Sequence, residues 1–415
     1  MKNLKGACMF AQSGGPTSVI NSSAAGVFLE ALKSPEITKV YGAAHGIKGV
    51  LDEQFYDIGL EDKKELELLK YTPSSALGSV RYKLKDVSVD DTDYKRILEV
   101  FKKYDIRYFF YNGGNDSMDT CNKISKFLNG SGWDCNVIGV PKTIDNDLFG
   151  TDHCPGFASA AKYIATTLME INLDAKVYNT GMVCVIEVMG RNAGWLTAAA
   201  SLAGYKGLGA DLIYLPEVAF DVDKFVSDVE GVLAKNDNKC IAVVSEGIKL
   251  ADGRYVGEFT ASKTDLFGHA QLGGVGQMLA NVIKEKTGIK TRAIELSLMQ
   301  RCGAHLASKV DVEEAFGAGA EAVKAAVSGE TDKMVCFERD MSTGHYVCKY
   351  KLLPLELAAN TEKTVPLDWI TNNGTALSDK FVEYALPLIQ GDAKAPLEDG
   401  LPRFAKLKKV LVEKL

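Results

Sequence analysis

The chain has 415 residues, enough for two or three domains at roughly 150 residues each, and a 46% hydrophobic content supports a sizeable core. Lys plus Arg number 48 against 54 Asp plus Glu, a net charge of −6 with no basic block, which argues against a general nucleic-acid binder. No run of about 18 apolar residues occurs, so no membrane span is expected, and nine scattered cysteines without a C-x-x-C read as reduced thiols of a cytoplasmic protein, not as a disulfide framework or zinc site.

Met1 to Ser13 carries two lysines and a short apolar stretch that runs into Gly14-Gly15, which predicts a first strand over 7–11 and not a signal peptide. A helix is expected over 22–32. An amphipathic helix follows over 91–104, with Ile97, Leu98, Phe101 and Tyr104 on one stripe. Then come a strand over 107–111, a helix over 118–128, a strand over 136–140 and a long helix over 157–172. A strand over 182–188, a helix over 195–203, a strand over 241–244, a helix over 275–286 and a strand over 292–296 complete the series. The alternation predicts parallel sheets covered by helices.

Five of these strands end in chemistry-bearing loops. They are Ser13-Gly14-Gly15-Pro16-Thr17, Gly113-Gly114-Asn115-Asp116-Ser117, Pro141-Lys142-Thr143-Ile144-Asp145-Asn146-Asp147, Met189-Gly190-Arg191-Asn192 and Ser245-Glu246-Gly247. In open α/β sheets, ligands bind at the carboxyl ends of strands. Gly, Asn and Asp also serve ordinary turns, but turn chemistry does not account for Lys142, Arg191 and Glu246.

The two Gly-Gly loops each lie between a strand and a helix start, where backbone N–H groups and the helix dipole favour anions. Two such loops suggest a ligand with more than one phosphate. No Gly-Lys dipeptide occurs, so there is no Walker A loop. The stretch Gly317-Ala318-Gly319-Ala320-Glu321-Ala322 matches a dinucleotide fingerprint in letters only, since it lies in a helical stretch over 313–327 with no strand before it. Asp145 and Asp147, two apart with an Asn between them, suit a hard cation such as Mg²⁺ or a general base beside one. Lys142 offers a mobile cation for phosphate. Arg81 and Arg191 each follow a Gly-containing turn and can bind two phosphate oxygens. Arg292 and Arg301 could meet one phosphate only if the chain bends between them, because nine extended residues span about 30 Å.

The segments SGGPTSVIN, LGSVR, GGNDS, PKTIDND, MGRNAGW, SEG and TR…LMQR occur in the order found in phosphofructokinases. The chain resembles most closely the pyrophosphate-dependent members, over most of residues 5–320. The tail, with Pro354-Leu355-Glu356 and Tyr384-Ala385-Leu386-Pro387, is similar to the longer pyrophosphate-type chains.

The resemblance implies two three-layer α/β/α Rossmann-like domains with mostly parallel sheets facing a central cleft. Residues 1–156 with 300–345 would form the donor domain, and 157–299 with 346–415 the sugar-phosphate domain. It implies reversible, Mg²⁺-supported phosphoryl transfer from pyrophosphate to the 1-hydroxyl of fructose 6-phosphate by a cytoplasmic homodimer or homotetramer. By position, Asp145 matches the general base, Thr143 and Gly15 match contacts to the transferred group, and Arg81 a cation near it. Met189, Gly190 and Arg191 match the sugar-phosphate motif, Glu246 the acid that holds sugar hydroxyls, and Arg292 with Arg301 the pair on the 6-phosphate. Asp147, Asn115 and Asp116 are the expected metal residues, and Asp116 with Lys142 the donor-selecting pair.

Three positions depart from the ATP-dependent relatives: Asn115 replaces an Asp, Leu298 a His, and Met182 an Arg supplied across a subunit boundary. The competing readings are an ATP-dependent kinase of the same fold, a catalytically silent regulatory subunit, and a nicotinamide-dependent oxidoreductase. Asp116 and Lys142 weigh against the first, the complete set of Asp145, Asp147, Arg81 and Arg191 against the second, and the missing fingerprint against the third.

Overall fold

In a computed structural model that describes residues 4–259, 274–359 and 361–414, strand β1 (Gly6–Gln12) is buried along its whole length. Ala7, Met9 and Ala11 point into one core and Cys8 and Phe10 into another, as the period of two dictates. A strand buried on both faces needs helices on both sides. β2 (Ile37–Ala43), β3 (Phe55–Asp57), β4 (Ile106–Gly113) and β5 (Asn136–Pro141) share its sheet. A second sheet takes β6 (Met182–Val188), β7 (Leu212–Tyr214), β8 (Lys239–Ser245) and β9 (Thr291–Glu295). The chain then returns to the first with β10 (Lys333–Asp340) and β11 (Val347–Pro354).

The larger sheet has seven strands in the order β11-β10-β5-β4-β1-β2-β3, parallel except at its two edges, where β11 and β3 run antiparallel. The smaller has four strands in the order β7-β8-β6-β9, all parallel. One face of the larger sheet is covered by helices Thr92–Lys103 and Asn115–Gly130, the other by helices Ile20–Ala31 and Lys309–Val327. The smaller sheet repeats the pattern. Cys184, Ile186 and Val188 face helix Phe157–Ala175, while Val183 and Val185 face helices Val222–Leu233 and Val275–Thr287. Both units are therefore three-layer, as the sequence predicts.

The glycine-rich stretch around Gly319 is explained by packing. Helices Ile20–Ala31 and Lys309–Val327 cross so closely that a Cβ on Gly319 would stand 2.1 Å from the Ser23 carbonyl oxygen. Gly319→Ala would force the two backbones apart at a cost of about 1–3 kcal/mol. Ser308 starts the second of these helices by accepting from the Asp311 N–H.

Two expectations differ from the structure. The helix over 195–203 is two short pieces, Trp195–Ala198 and Ser201–Gly204, because three-residue bonds such as Ala199 N–H to the Leu196 carbonyl tighten the turn between them. Residues 346–415 do not all join the second unit. β11 pairs with β10 at the edge of the larger sheet, and Val412 N–H donates to the Phe55 carbonyl beside β3. Between these, Trp369, Phe381, Ala385 and Leu388 do pack into the core of the smaller sheet.

All nine cysteines are unpaired. Burial pushes the thiols of Cys8 and Cys154 up to about 12, which leaves them inert. Among the described residues, no helix is long and apolar enough to cross a membrane.

Candidate active site

Parallel strands bring their carboxyl ends to one edge of a sheet. Here β1, β4 and β5 do so in the larger sheet and β6 and β8 in the smaller, and their five loops line one cleft of about 600 Å³. The lining includes Gly15, Arg81, Asn115, Asp116, Lys142, Thr143, Asp145, Asp147, Met189, Arg191 and Glu246. These residues are scattered over more than 200 positions of sequence.

The first loop is latched to the segment that carries Arg81. Ser79 Oγ donates to the Gly14 carbonyl at 2.6 Å, and Gly14 N–H reaches the Val80 carbonyl. Lys142 lies almost fully buried at the end of β5, and its Nζ donates to the Gly15 carbonyl at 2.6 Å. Burial lowers its pKa to about 8 against the opposing pull of Asp145 and Asp147. The group that would hold an anion is thus already tethered and partly desolvated. Arg301 stands behind Gly15, where a Cβ would come within 3.3 Å of its Nη1.

Asp145 and Asp147 flank the buried Asn146, whose φ of +55° turns the chain so that both carboxylates face the cleft. Thr143 Oγ1 accepts from the Asp145 N–H at 3.1 Å and steadies the turn. Burial, and then the charge of Glu246, push the Asp145 carboxyl up from the ordinary range, with Lys142 pulling the other way. Burial and Asp145 do the same to Asp147.

Asn115 Nδ2 donates to Asp147 Oδ2 at 3.0 Å. Asn115 Oδ1 and Asp147 Oδ1 are buried with no hydrogen-bond partner among the described residues. Two adjacent orphaned oxygens at a phosphate-type cleft fit a hard divalent cation that takes its remaining ligands from substrate and water. Asp116 lines the same cleft but is exposed, in the first turn of helix Asn115–Gly130. Gly114 and not Asp116 occupies that helix's N-cap position.

On the opposite wall, Glu246 Oε1 accepts from the Gly190 N–H at 3.2 Å, and burial pushes its carboxyl up. The two loops lie so close that a Cβ on Gly247 would stand 1.9 Å from the Arg191 carbonyl oxygen, so only glycine fits there. Met189 and Arg191 line the wall beside them.

Arg292 is not brought to this cleft. It is the second residue of β9, the edge strand, with its side chain exposed, even though Ser297 (φ +43°) provides the bend before Arg301. The cleft also contains residues that sequence reasoning did not single out. Asn192 lies inside a recognised motif. Glu362 lies in the tail with no motif around it; it accepts from Asn192 Nδ2 at 3.0 Å.

The sequence profile described as Phosphofructokinase matches residues 7–326. The chain is 44% identical over 410 residues to a pyrophosphate–fructose 6-phosphate 1-phosphotransferase of Halomonas elongata, covering 98% of this chain and 97% of that protein. It is 32% identical to a sulfofructose kinase of Alkalicoccus urumqiensis, covering 86% of this chain and 90% of that protein. The crystal structure of a pyrophosphate-dependent phosphofructokinase from Marinobacter aquaeolei superposes with a TM-score of 0.89 at 41% identity, covering 99% of this chain and 98% of that one.

Proposed function

The chain belongs to the phosphofructokinase family, and from that premise we propose that it transfers a phosphoryl group reversibly from pyrophosphate to the 1-hydroxyl of fructose 6-phosphate, giving fructose 1,6-bisphosphate and phosphate. The observation that carries this reading is the meeting of Asp145, Lys142 and Asp116 in one cleft. It supplies a base, a cation for the leaving phosphate, and a carboxylate where a longer donor would extend.

Phosphoryl transfer asks a protein mainly for positioning and charge neutralisation. Asp145 takes the proton from the attacking hydroxyl. Its raised proton affinity suits a base working near neutral pH. Lys142 and Arg81, with the Gly15 backbone N–H, hold the donor in line and offset the charge on the departing phosphate. Glu246, Arg191 and Met189 orient the sugar from the other wall, and Arg301 is read as a contact of the sugar 6-phosphate. Mg²⁺ would be held by Asp147 and Asn115, with Asp116 at the rim, and would offset the negative charge of the donor. Glycolytic flux in the cytoplasm and a homodimeric or homotetrameric assembly complete the reading and rest on the family resemblance.

Asp145→Ser tests the base. It changes one cleft residue, so fold and substrate binding should persist, while turnover falls by about two orders of magnitude or more. Retention of more than about a tenth of wild-type turnover removes Asp145 from the role. In a Mg²⁺ titration, Asp147→Ala should raise the metal requirement more than Asn115→Ala, because a carboxylate contributes a full charge and an amide does not. The reverse order would overturn the metal assignment.

A further inference from the structure

The turn that presents Asp145 and Asp147 is held from behind by a part of the chain that lies C-terminal to the matched family span of 7–326. Asn146 is completely buried, and both ends of its amide are used. Oδ1 accepts from the Cys154 N–H at 2.9 Å, and Nδ2 donates to the Tyr384 hydroxyl at 2.8 Å. That hydroxyl donates in turn to the Asp152 carbonyl at 2.8 Å. One phenol oxygen therefore joins the turn at Asn146 to the far end of the same loop.

Lys363 makes a second set of ties. Its N–H donates to the Asp147 carbonyl at 2.8 Å, and its Nζ donates to the carbonyls of Thr151 and Asp152 at 3.1 and 2.7 Å. Its own carbonyl accepts from Trp195 Nε1 at 2.8 Å. Two residues on, Val365 N–H donates to Glu217 Oε1, which also accepts from the Gly194 N–H of the sugar-side loop.

The supports are themselves fixed. The Tyr384 ring packs against Trp195 at 5.2 Å and Trp369 at 5.6 Å between centroids. Arg339 donates to the Tyr384 carbonyl at 2.9 Å and lies over its ring. Neither Tyr384 nor Lys363 lines the cleft. Their side chains instead bind the loop behind the turn, so an effect on the reaction would pass through the loop.

We propose that Tyr384 and Lys363 are positioning residues for the phosphoryl-transfer step: the C-terminal segment is a brace that fixes where the Asp145 carboxylate points. A carboxylate on a turn of three residues has little stiffness of its own. The Tyr384 hydroxyl at Asn146 and the Lys363 ammonium at the Thr151 and Asp152 carbonyls pin both ends of the loop and remove the slack that would let the base drift from the attacking hydroxyl. The inference rests on the reading of Asp145 as the base.

The experiment measures kcat, both KM values and the thermal midpoint for Tyr384→Phe, Lys363→Met and Lys363→Arg. Tyr384→Phe and Lys363→Met are also built in the Asp145→Ser background. Tyr384→Phe keeps the ring that packs on Trp195, so it should stay folded. A base displaced by a fraction of an ångström to 1 Å loses up to about 100-fold in rate, so kcat should fall about 10- to 100-fold, with both KM values within about threefold of wild type. Lys363→Arg, which keeps donors and charge, should recover most of the Lys363→Met loss. In the Asp145→Ser background neither variant should cost a further factor, because there is no base left to misplace.

A purely structural brace would lower the thermal midpoint and leave kcat per folded molecule unchanged, and that result overturns the proposal. Losses that multiply with Asp145→Ser overturn it too. If Asp145→Ser keeps wild-type turnover, the base assignment falls and the brace falls with it. If Asp145→Ser is inactive while Tyr384→Phe and Lys363→Met both run at the wild-type rate, only the brace falls.

Discussion

In the proposed reading, Asp116 and Lys142 would select the donor through opposite charges placed at different depths. Lys142 is buried and tethered to Gly15, where it would meet a terminal phosphate. Asp116 is exposed at the rim of the same cleft, where a third phosphate would have to pass. Asp116 could instead have served only to cap its helix. The N-cap position belongs to Gly114, so capping does not explain it. Like-charge repulsion of a wrong ligand across the cleft rim can cost several kcal/mol. Asp116→Gly should therefore raise kcat/KM for ATP by about tenfold or more with little change in stability. Adding Lys142→Gly should cripple pyrophosphate use and spare ATP. A donor preference that Asp116→Gly leaves untouched would show that the carboxylate is not the gate.

At the scale of elements, the loop of Asp145 is anchored by a buried charge cluster. His153 is 1% exposed, with Nδ1 2.8 Å from Asp152 Oδ1 and Nε2 2.7 Å from Glu314 Oε2. Tyr346 donates to Glu314 at 2.6 Å, and Arg339 donates to both oxygens of Asp152. The cluster thereby joins the loop after β5, helix Lys309–Val327 and the β10–β11 hairpin. Burial alone would push His153 down, but its two carboxylate partners outweigh burial and hold it above 6.5. A raised folded pKa contributes stability that is complete below the unfolded value and is lost as pH rises through the folded one. Burial would push Asp152 up, yet His153 and Arg339 hold it well below the usual range, so its contribution is present above about pH 4 and lost as pH falls further. His153→Gln should cost about 1–3 kcal/mol at pH 6. Its thermal midpoint should fall less than that of wild type between pH 6 and pH 9. Equal slopes for the two proteins would show that the imidazole stays neutral.

The same scale separates what the sequence makes legible from what it does not. The five strand-end loops can be read because each carries its chemistry next to a strand whose apolar run is local. The edge position of β9 cannot be read, since pairing order is a tertiary fact, and so the distance of Arg292 from this cleft could not be read either. Glu362, Lys363 and Tyr384 act through contacts more than 160 positions away in sequence, with no motif nearby to mark them. The Gly319 stretch shows the converse case: Gly319 serves a helix crossing and Gly317 makes room for the Tyr350 ring, and only the absence of a preceding strand sets the stretch apart from a nucleotide loop.

For the whole molecule, two three-layer units supply one wall of the cleft each, and each wall has its own chemistry. The larger sheet presents Gly15, Asn115, Lys142 and Asp145, and the smaller presents Met189, Arg191 and Glu246. ATP-dependent bacterial relatives carry two effector-binding arginines on the helix after the first Gly loop. The matching residues here, Ala25 and Leu29, are buried in the core of the larger sheet and cannot hold a phosphate. Sugar saturation should accordingly be hyperbolic and indifferent to ADP or phosphoenolpyruvate, and a sigmoidal curve shifted by either ligand would contradict this. The most direct test of the account is kcat/KM of the purified chain for pyrophosphate and for ATP, measured side by side with saturating fructose 6-phosphate and Mg²⁺. The account predicts a preference for pyrophosphate of about 100-fold or more, the ratio that several kcal/mol of repulsion implies. Equal use of the two donors, or a preference for ATP, would contradict it.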